Sequence, residues 1–251
     1  MKRILFFILS LSCTALFGQQ QEWQGKFEQL GQTLPTPNEY RTGSGAPGPK
    51  YWQQRADYVI NAELNDVNQS ITGSETIIYH NNSPDNLKYL WVQLDQNINA
   101  PGNNSKKITT TTIVDSVTTR TLAGDLGLYD FDGGYKIKSV KGASGKGLPY
   151  TINQTMMRVD LPQTLASGQQ FTFSIEWFFN INDRVRNATF NDGRSGMEHF
   201  PEDGNYLYII AQWFPRMCVY DDVDGWQNKQ FLGQGEFALN FGNYEVNLTV
   251  P

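Results

Sequence analysis

The amino-acid sequence predicts an all-β fold, an antiparallel sandwich with long irregular connections, and three observations carry that prediction. Apolar and polar residues alternate in segment after segment. The most regular case is 169–180, where Phe171, Phe173, Ile175, Trp177 and Phe179 alternate with Gln170, Thr172, Ser174 and Glu176. Such alternation puts every apolar side chain of an extended strand on one face, as a half-buried antiparallel strand requires. Turn-forming clusters separate these segments, as at Asn81-Asn82-Ser83-Pro84 and Asp132-Gly133-Gly134. No segment carries a full helical stripe, although 108–123 and 225–239 leave room for a short helix.

In chain order, the first element reads as an export signal. Lys2 and Arg3 precede an apolar stretch from Ile4 to Phe17, and Gly18 offers a small residue before Gln19, Gln20, Gln21 and Glu22. Residues 1–18 are expected to be a signal peptide cleaved after Gly18, which places the mature protein in the periplasm or outside the cell. A rival reading makes Cys13 a lipidated cysteine following Ser12. Ala15, Leu16 and Phe17 continue the apolar run past it and favour cleavage at Gly18. The stretch is shorter than the roughly 20 residues of a membrane-spanning helix, and no later segment approaches that length.

Residues 19–50 read as a flexible lead-in, because Pro35, Pro37, Gly43, Gly45, Pro47, Gly48 and Pro49 crowd its second half. A β domain is predicted over 51–251. Its strands are expected at 58–65, 71–80, 89–94, 135–140, 156–161, 169–180, 207–216 and 244–250. In the first, Tyr58, Ile60, Ala62 and Leu64 share a face; in the last, Tyr244, Val246, Leu248 and Val250 do. Within 207–216 both faces are mostly apolar, with Ile209, Ala211 and Trp213 on one and Tyr208, Ile210, Gln212 and Phe214 on the other. A strand of that kind is covered on both sides. The polar, threonine-rich segment 97–132 carries no element signal.

Composition narrows the function classes. Aromatic residues make up 13% and charged residues only 18%, a chain with many rings to bury and too little charge for disorder. The net charge of −5 comes with no basic stripe, which speaks against a nucleic-acid partner or an anionic lipid surface. Of two cysteines, Cys13 would leave with the signal. Cys218 then has no partner for an intrachain disulfide, and reads as a small buried hydrophobe.

The chemical inventory is short. The two histidines, His80 and His199, do not form a His-Glu-x-x-His pair, and no Gly-x-Ser-x-Gly is present. No catalytic residue and no metal ligand is assigned to this chain. Asp221, Asp222 and Asp224, and Asp130 with Asp132, could supply calcium oxygens. Each group lies beside a glycine, Gly225 or Gly133, so turn formation accounts for them equally well and is the favoured reading.

The most distinctive stretch runs from Gly204 to Pro251. It contains Gln212-Trp213-Phe214-Pro215, then Val219-Tyr220-Asp221-Asp222, Gly225-Trp226, Gly235-Glu236-Phe237 and a last strand ending Val250-Pro251. This combination resembles the end of the N-terminal domain in the aminopeptidase N family of zinc metallopeptidases. The openings Tyr51-Trp52-Gln53-Gln54-Arg55-Ala56-Asp57-Tyr58 and Ile71-Thr72-Gly73-Ser74-Glu75 are similar to that family too. The resemblance implies a saddle-shaped β domain followed by a catalytic domain that holds the zinc. Peptides would be the substrate of the intact enzyme, and this chain would bind no cofactor of its own.

The resemblance also implies a substrate-binding role for Gln212, matching a glutamine that reaches the substrate's amino-terminal end. Phe214 stands where the family usually has Gln or Glu, and aligning Phe214-Pro215 with the family's later Phe-Pro pair makes Gln212 an ordinary strand residue. Ser195-Gly196-Met197-Glu198-His199 looks like the family's exopeptidase motif but precedes the last strand, so it reads as a loop. The alternative function is a free-standing extracellular β-sandwich module for glycan or polymer, using Trp52, Trp91, Trp177, Trp213 and Trp226. Against it, Trp177 lies in the apolar phase of its strand, where core is the default.

Overall fold

The alternating segments fold as strands. The computed structural model describes residues 37–108, 115–119, 122, 131–185, 195–233 and 237–251. The expected signal peptide with Cys13, the start of the lead-in, Asp130, most of 108–123 and the pair Gly235-Glu236 lie outside the described residues. The strands are β1 (Arg55–Asn65), β2 (Ser70–His80), β3 (Leu87–Gln93), β4 (Lys136–Gly142), β5 (Tyr150–Asn153), β6 (Met156–Leu165) and β7 (Gln170–Asn180). They continue with β8 (Ser195–Phe200), β9 (Asn205–Ile210), β10 (Arg216–Met217), β11 (Tyr220–Asp221), β12 (Gly225–Trp226) and β13 (Tyr244–Thr249). A 3-10 turn at Asp95–Asn99 follows β3, and one helical turn spans Ser105–Ile108. The described part of 225–239 holds β12 and irregular chain, not the short helix for which its sequence left room.

Two sheets enclose the core. One has five strands in the order β13-β1-β2-β7-β4, the other four in the order β10-β3-β6-β5; β8-β9 and β11-β12 form separate pairs. The first sheet's inner face carries Ala56, Tyr58 and Ile60, then Ile77 and Tyr79, then Phe173, Ile175, Trp177 and Phe179. Leu90, Val92, Met157, Val159 and Met217 meet them from the second sheet, within one apolar cluster. Gly73 is required by this packing. It pairs with Trp177, and a Cβ there would lie 2.2 Å from the indole ring.

Among the described residues, the named strands pair antiparallel with one exception. β13 runs parallel to β1, matching Tyr58 with Tyr244 and Ile60 with Val246. The approach is close at Gly242, where a Cβ would stand 1.7 Å from the Ala56 carbonyl oxygen.

The strand expected over 207–216 is broken. β9 stops at Ile210, Gln212 takes φ 49°, and Pro215 offers no N–H. Left-handed backbone at a non-glycine residue ends the alternation, and the chain crosses to the second sheet as β10. Residues 195–199, expected as a loop, instead form most of β8, paired with β9 from Ser195–Ile210 to Phe200–Asn205.

Candidate functional site

Residues 211–215 form a crossover between the β8-β9 hairpin and β10, and they carry the Gln-Trp-Phe-Pro motif. The backbone is tied down at both ends. The Gln96 Nε2 donates to the Ala211 carbonyl oxygen at 2.7 Å, and the Tyr135 hydroxyl donates to that of Gln212 at 3.0 Å. The Met217 N–H donates to the Tyr58 hydroxyl oxygen at 2.9 Å. Arg216 pairs with the buried carboxylate of Asp95. The rings anchor the middle: Trp213 lies 6.3 Å from Trp177, and Phe214 meets Tyr58 edge-on at 5.8 Å and Tyr244 at 6.3 Å. Gln212 itself is half-buried between these anchors.

The inner face of the five-stranded sheet, which also carries Tyr58 and Trp177, holds one unusual polar residue. Glu75 faces inward from β2, 2% exposed, and neither oxygen of its carboxyl has a hydrogen-bond partner. Burial pushes its pKa well above the ordinary carboxylic range. Burial likewise raises the pKa values of Tyr58 and Tyr135, with the charge of Glu75 adding to both. Sequence reasoning missed Glu75, although a signal was present. In the run Ile71, Gly73, Glu75, Ile77, Tyr79, it is the one charged residue in the inward phase.

Gln212 is the sequence-predicted binding residue that this segment contains. The histidines sit on different elements. His80 Nε2 lies 3.0 Å from Asp57 Oδ2 at the end of β2, and the His199 ring lies 4.6 Å from Tyr206 on the β8-β9 hairpin. Among the described residues, no group of three or more His, Cys, Asp or Glu side chains could hold a metal ion. Asp221 Oδ1 accepts the N–H groups of Val223 and Asp224, both at 2.9 Å, and Asp222 pairs with Arg41 at 2.8 Å. These carboxylates therefore cap a turn and tie down residues 37–50.

The aromatic platform expected of a glycan module is not displayed by the five tryptophans. Trp177 is fully buried, Trp213 and Trp226 pack against the core, and Trp52 and Trp91 are half-buried. Trp52 stacks on Tyr220 at 5.8 Å, and both line a cleft of about 360 Å³ together with Arg41, Tyr51 and Phe241. Burial, then the neighbouring Asp85 carboxylate, pushes the Tyr220 pKa up to about 12.

No family model and no curated protein matches this chain. Among solved structures it is similar to an M1 zinc metallopeptidase from Deinococcus radiodurans, at 9% identity and a TM-score of 0.38, over 82% of this chain and 34% of that one. It is also similar to leukotriene A4 hydrolase from Saccharomyces cerevisiae, at 10% identity and a TM-score of 0.30, over 50% of this chain and 15% of that one. The chain thus spans a third or less of the length of these proteins, and a likeness this distant assigns it no activity.

Proposed function

We propose that this chain is the non-catalytic N-terminal domain of an exported zinc aminopeptidase, where it buttresses the catalytic domain and walls the substrate cleft. The observation that carries this reading is an apolar face without a cover. Tyr244, Val246 and Leu248 of β13, with Val250 just beyond it, continue the inner face of the five-stranded sheet, yet are 46%, 43%, 63% and 65% exposed. An apolar row on the core side of a sheet is the mark of an interaction surface. The hairpin adds Tyr206, Leu207 and Ile209 on its own exposed surface. The motif resemblance over 204–251 makes a catalytic domain of the same protein the natural cover.

In that arrangement Gln212 points toward the amino-terminal end of a peptide, and the zinc ligands come from the catalytic domain. The zinc would supply activated water for attack on the first peptide bond. Export by residues 1–18 belongs to the same reading, and the mature protein is expected to begin at or near Gln19.

Expression of the complete reading frame tests the proposal. A His-Glu-x-x-His downstream of Pro251 is expected, with aminopeptidase activity in the product. In that product, Gln212→Ala is expected to lower kcat/KM about 10- to 100-fold, chiefly through KM, the scale of one lost hydrogen bond to a charged group. An unchanged kcat/KM removes Gln212 from the cleft. A reading frame with no such motif overturns the enzyme reading in favour of the free-standing glycan- or polymer-binding module.

A further inference from the structure

Glu75 occupies the centre of the five-stranded sheet, opposite Ile60 of β1 and Ile175 of β7. The titratable groups facing it are tyrosines. Tyr58 of β1 lies one diagonal step from it in the β1-β2 register, and Tyr244 of β13 and Tyr135 just ahead of β4 are near enough that an ionised Glu75 would raise their pKa values. Arg216 of β10 acts on all three hydroxyls, and Asp95, paired with Arg216, acts on that of Tyr135. Tyr58 and Tyr135 are also the hydrogen-bond anchors of the crossover, at Met217 and Gln212. Trp177, one diagonal step from Glu75 in the β2-β7 register, supports Trp213. Three residues near this carboxyl, Tyr58, Tyr135 and Trp177, are thus also anchors of the crossover.

We propose that Glu75 is the positioning residue of the Gln212 crossover: residues 211–217 stay closed over a neutral carboxyl, and open locally to let it meet water when it loses its proton. A carboxylate without a partner in an apolar interior is strongly disfavoured. Three routes could relieve that cost: keeping the proton, unfolding the sheet, or releasing the crossover. The sheet holds Glu75 between two neighbours paired along eleven residues each. Residues 211–215 have no strand pairing of their own, and β10, which opens with them, holds only two residue pairs to β3. Releasing it is the smaller change.

Proton linkage gives the pH dependence. The raised value of the closed state means that opening releases a proton above the ordinary carboxyl range. The open fraction then climbs about tenfold per pH unit until the closed-state value is reached. The consequence for substrate rests on the aminopeptidase reading, because there the crossover carries Gln212 into the cleft. The coupling of Glu75 to the crossover does not.

Native-state amide exchange of the full chain between pH 5 and 8, corrected for intrinsic rates, tests it. Protection of the Met217 N–H, which donates to the Tyr58 hydroxyl, is expected to fall as pH rises, by up to about tenfold per pH unit, while amides of β1, β2 and β7 change far less. In Glu75→Gln the crossover profile is expected to be flat. Should that variant fail to fold, Glu75→Met fills the site without a titrating group and carries the same expectation. An equal slope in the variant and the wild type, a flat wild-type profile, or parallel loss across the sheet and the crossover each overturns the proposal. These slopes do not depend on peptide hydrolysis, so failure of the aminopeptidase reading leaves them intact.

Discussion

Three donors converge on the carboxylate of Asp57. Arg55 Nε and the Asn243 backbone N–H each lie at 2.8 Å, and His80 Nε2 at 3.0 Å. Burial acts to raise the pKa, but the donors together outweigh it, and the net shift is downward. A depressed carboxyl contributes stability above its unfolded value, near 4, and loses it as pH falls through the folded value. Asp57→Asn is therefore expected to cost about 1–2 kcal/mol at pH 6, the scale of hydrogen bonds to a charged group, with the difference shrinking below pH 4. Urea unfolding of both proteins at pH 6 and pH 3 measures it. A pH-independent difference would mean the ionised form is not what Asp57 contributes. The Asn243 contact also explains why this position matters beyond its strand, since it holds the entry to β13 against β1.

At the scale of elements, β2 and β7 depend on one close fit. The ring of Trp177 lies against Gly73, and any side chain there must displace it. Gly73→Ala is expected to destabilise by about 2–4 kcal/mol, the range for overpacking a core that also loses ring contacts. Combining it with Trp177→Leu should cost less than the sum of the single changes, because the smaller side chain clears the methyl group. Additive costs in thermal unfolding would place the strain elsewhere. β13 obeys the opposite rule. Leu248 is 63% exposed on an edge strand, so Leu248→Lys is expected to shift stability by less than about 0.5 kcal/mol. The same change should lower the binding of a dye that reports apolar surface, because it interrupts the uncovered row. A large stability loss with unchanged dye binding would show that Leu248 belongs to the core.

For the whole molecule, cohesion comes from the apolar core between the sheets. Cys218 is a free thiol with no exposed surface, and burial, followed by the nearby Asp95 charge, pushes its pKa up. A thiol in that state reacts only when the fold opens. A chain beginning at Gln19 is expected to resist a thiol reagent until denatured, and to show the same Tm with and without reductant. Rapid labelling under native conditions would reveal an opening that reaches β10 and its neighbours. The crossover opening inferred above stops short of Cys218 only if the Cys218 N–H keeps its bond to the Trp91 carbonyl at 2.9 Å. Labelling as a function of pH thus measures how far that opening spreads.

Sequence pattern located every strand of the five-stranded sheet and, in the other sheet, β3 and β6, but not β5 or the two-residue β10. Period-two alternation marks the inward face of β1, β2, β7 and β13 directly, because each residue's face follows from its parity once the strand begins. It did not determine pairing partners, and so did not show that β13 runs parallel to β1, a contact between segments some 180 residues apart. It also did not reveal the break at Gln212. The apolar run there reads on through Gln212 to Phe214 as one strand covered on both sides, and a left-handed φ at glutamine leaves no mark in composition. Gln212 was legible as a candidate through motif resemblance, but the support around it was not. Tyr58, Tyr135 and Gln96 lie far apart in the chain, and only tertiary packing brings them to one crossover. Tertiary structure decided that arrangement because burial and hydrogen-bond satisfaction depend on neighbours across the core, whereas alternation depends on neighbours along the chain.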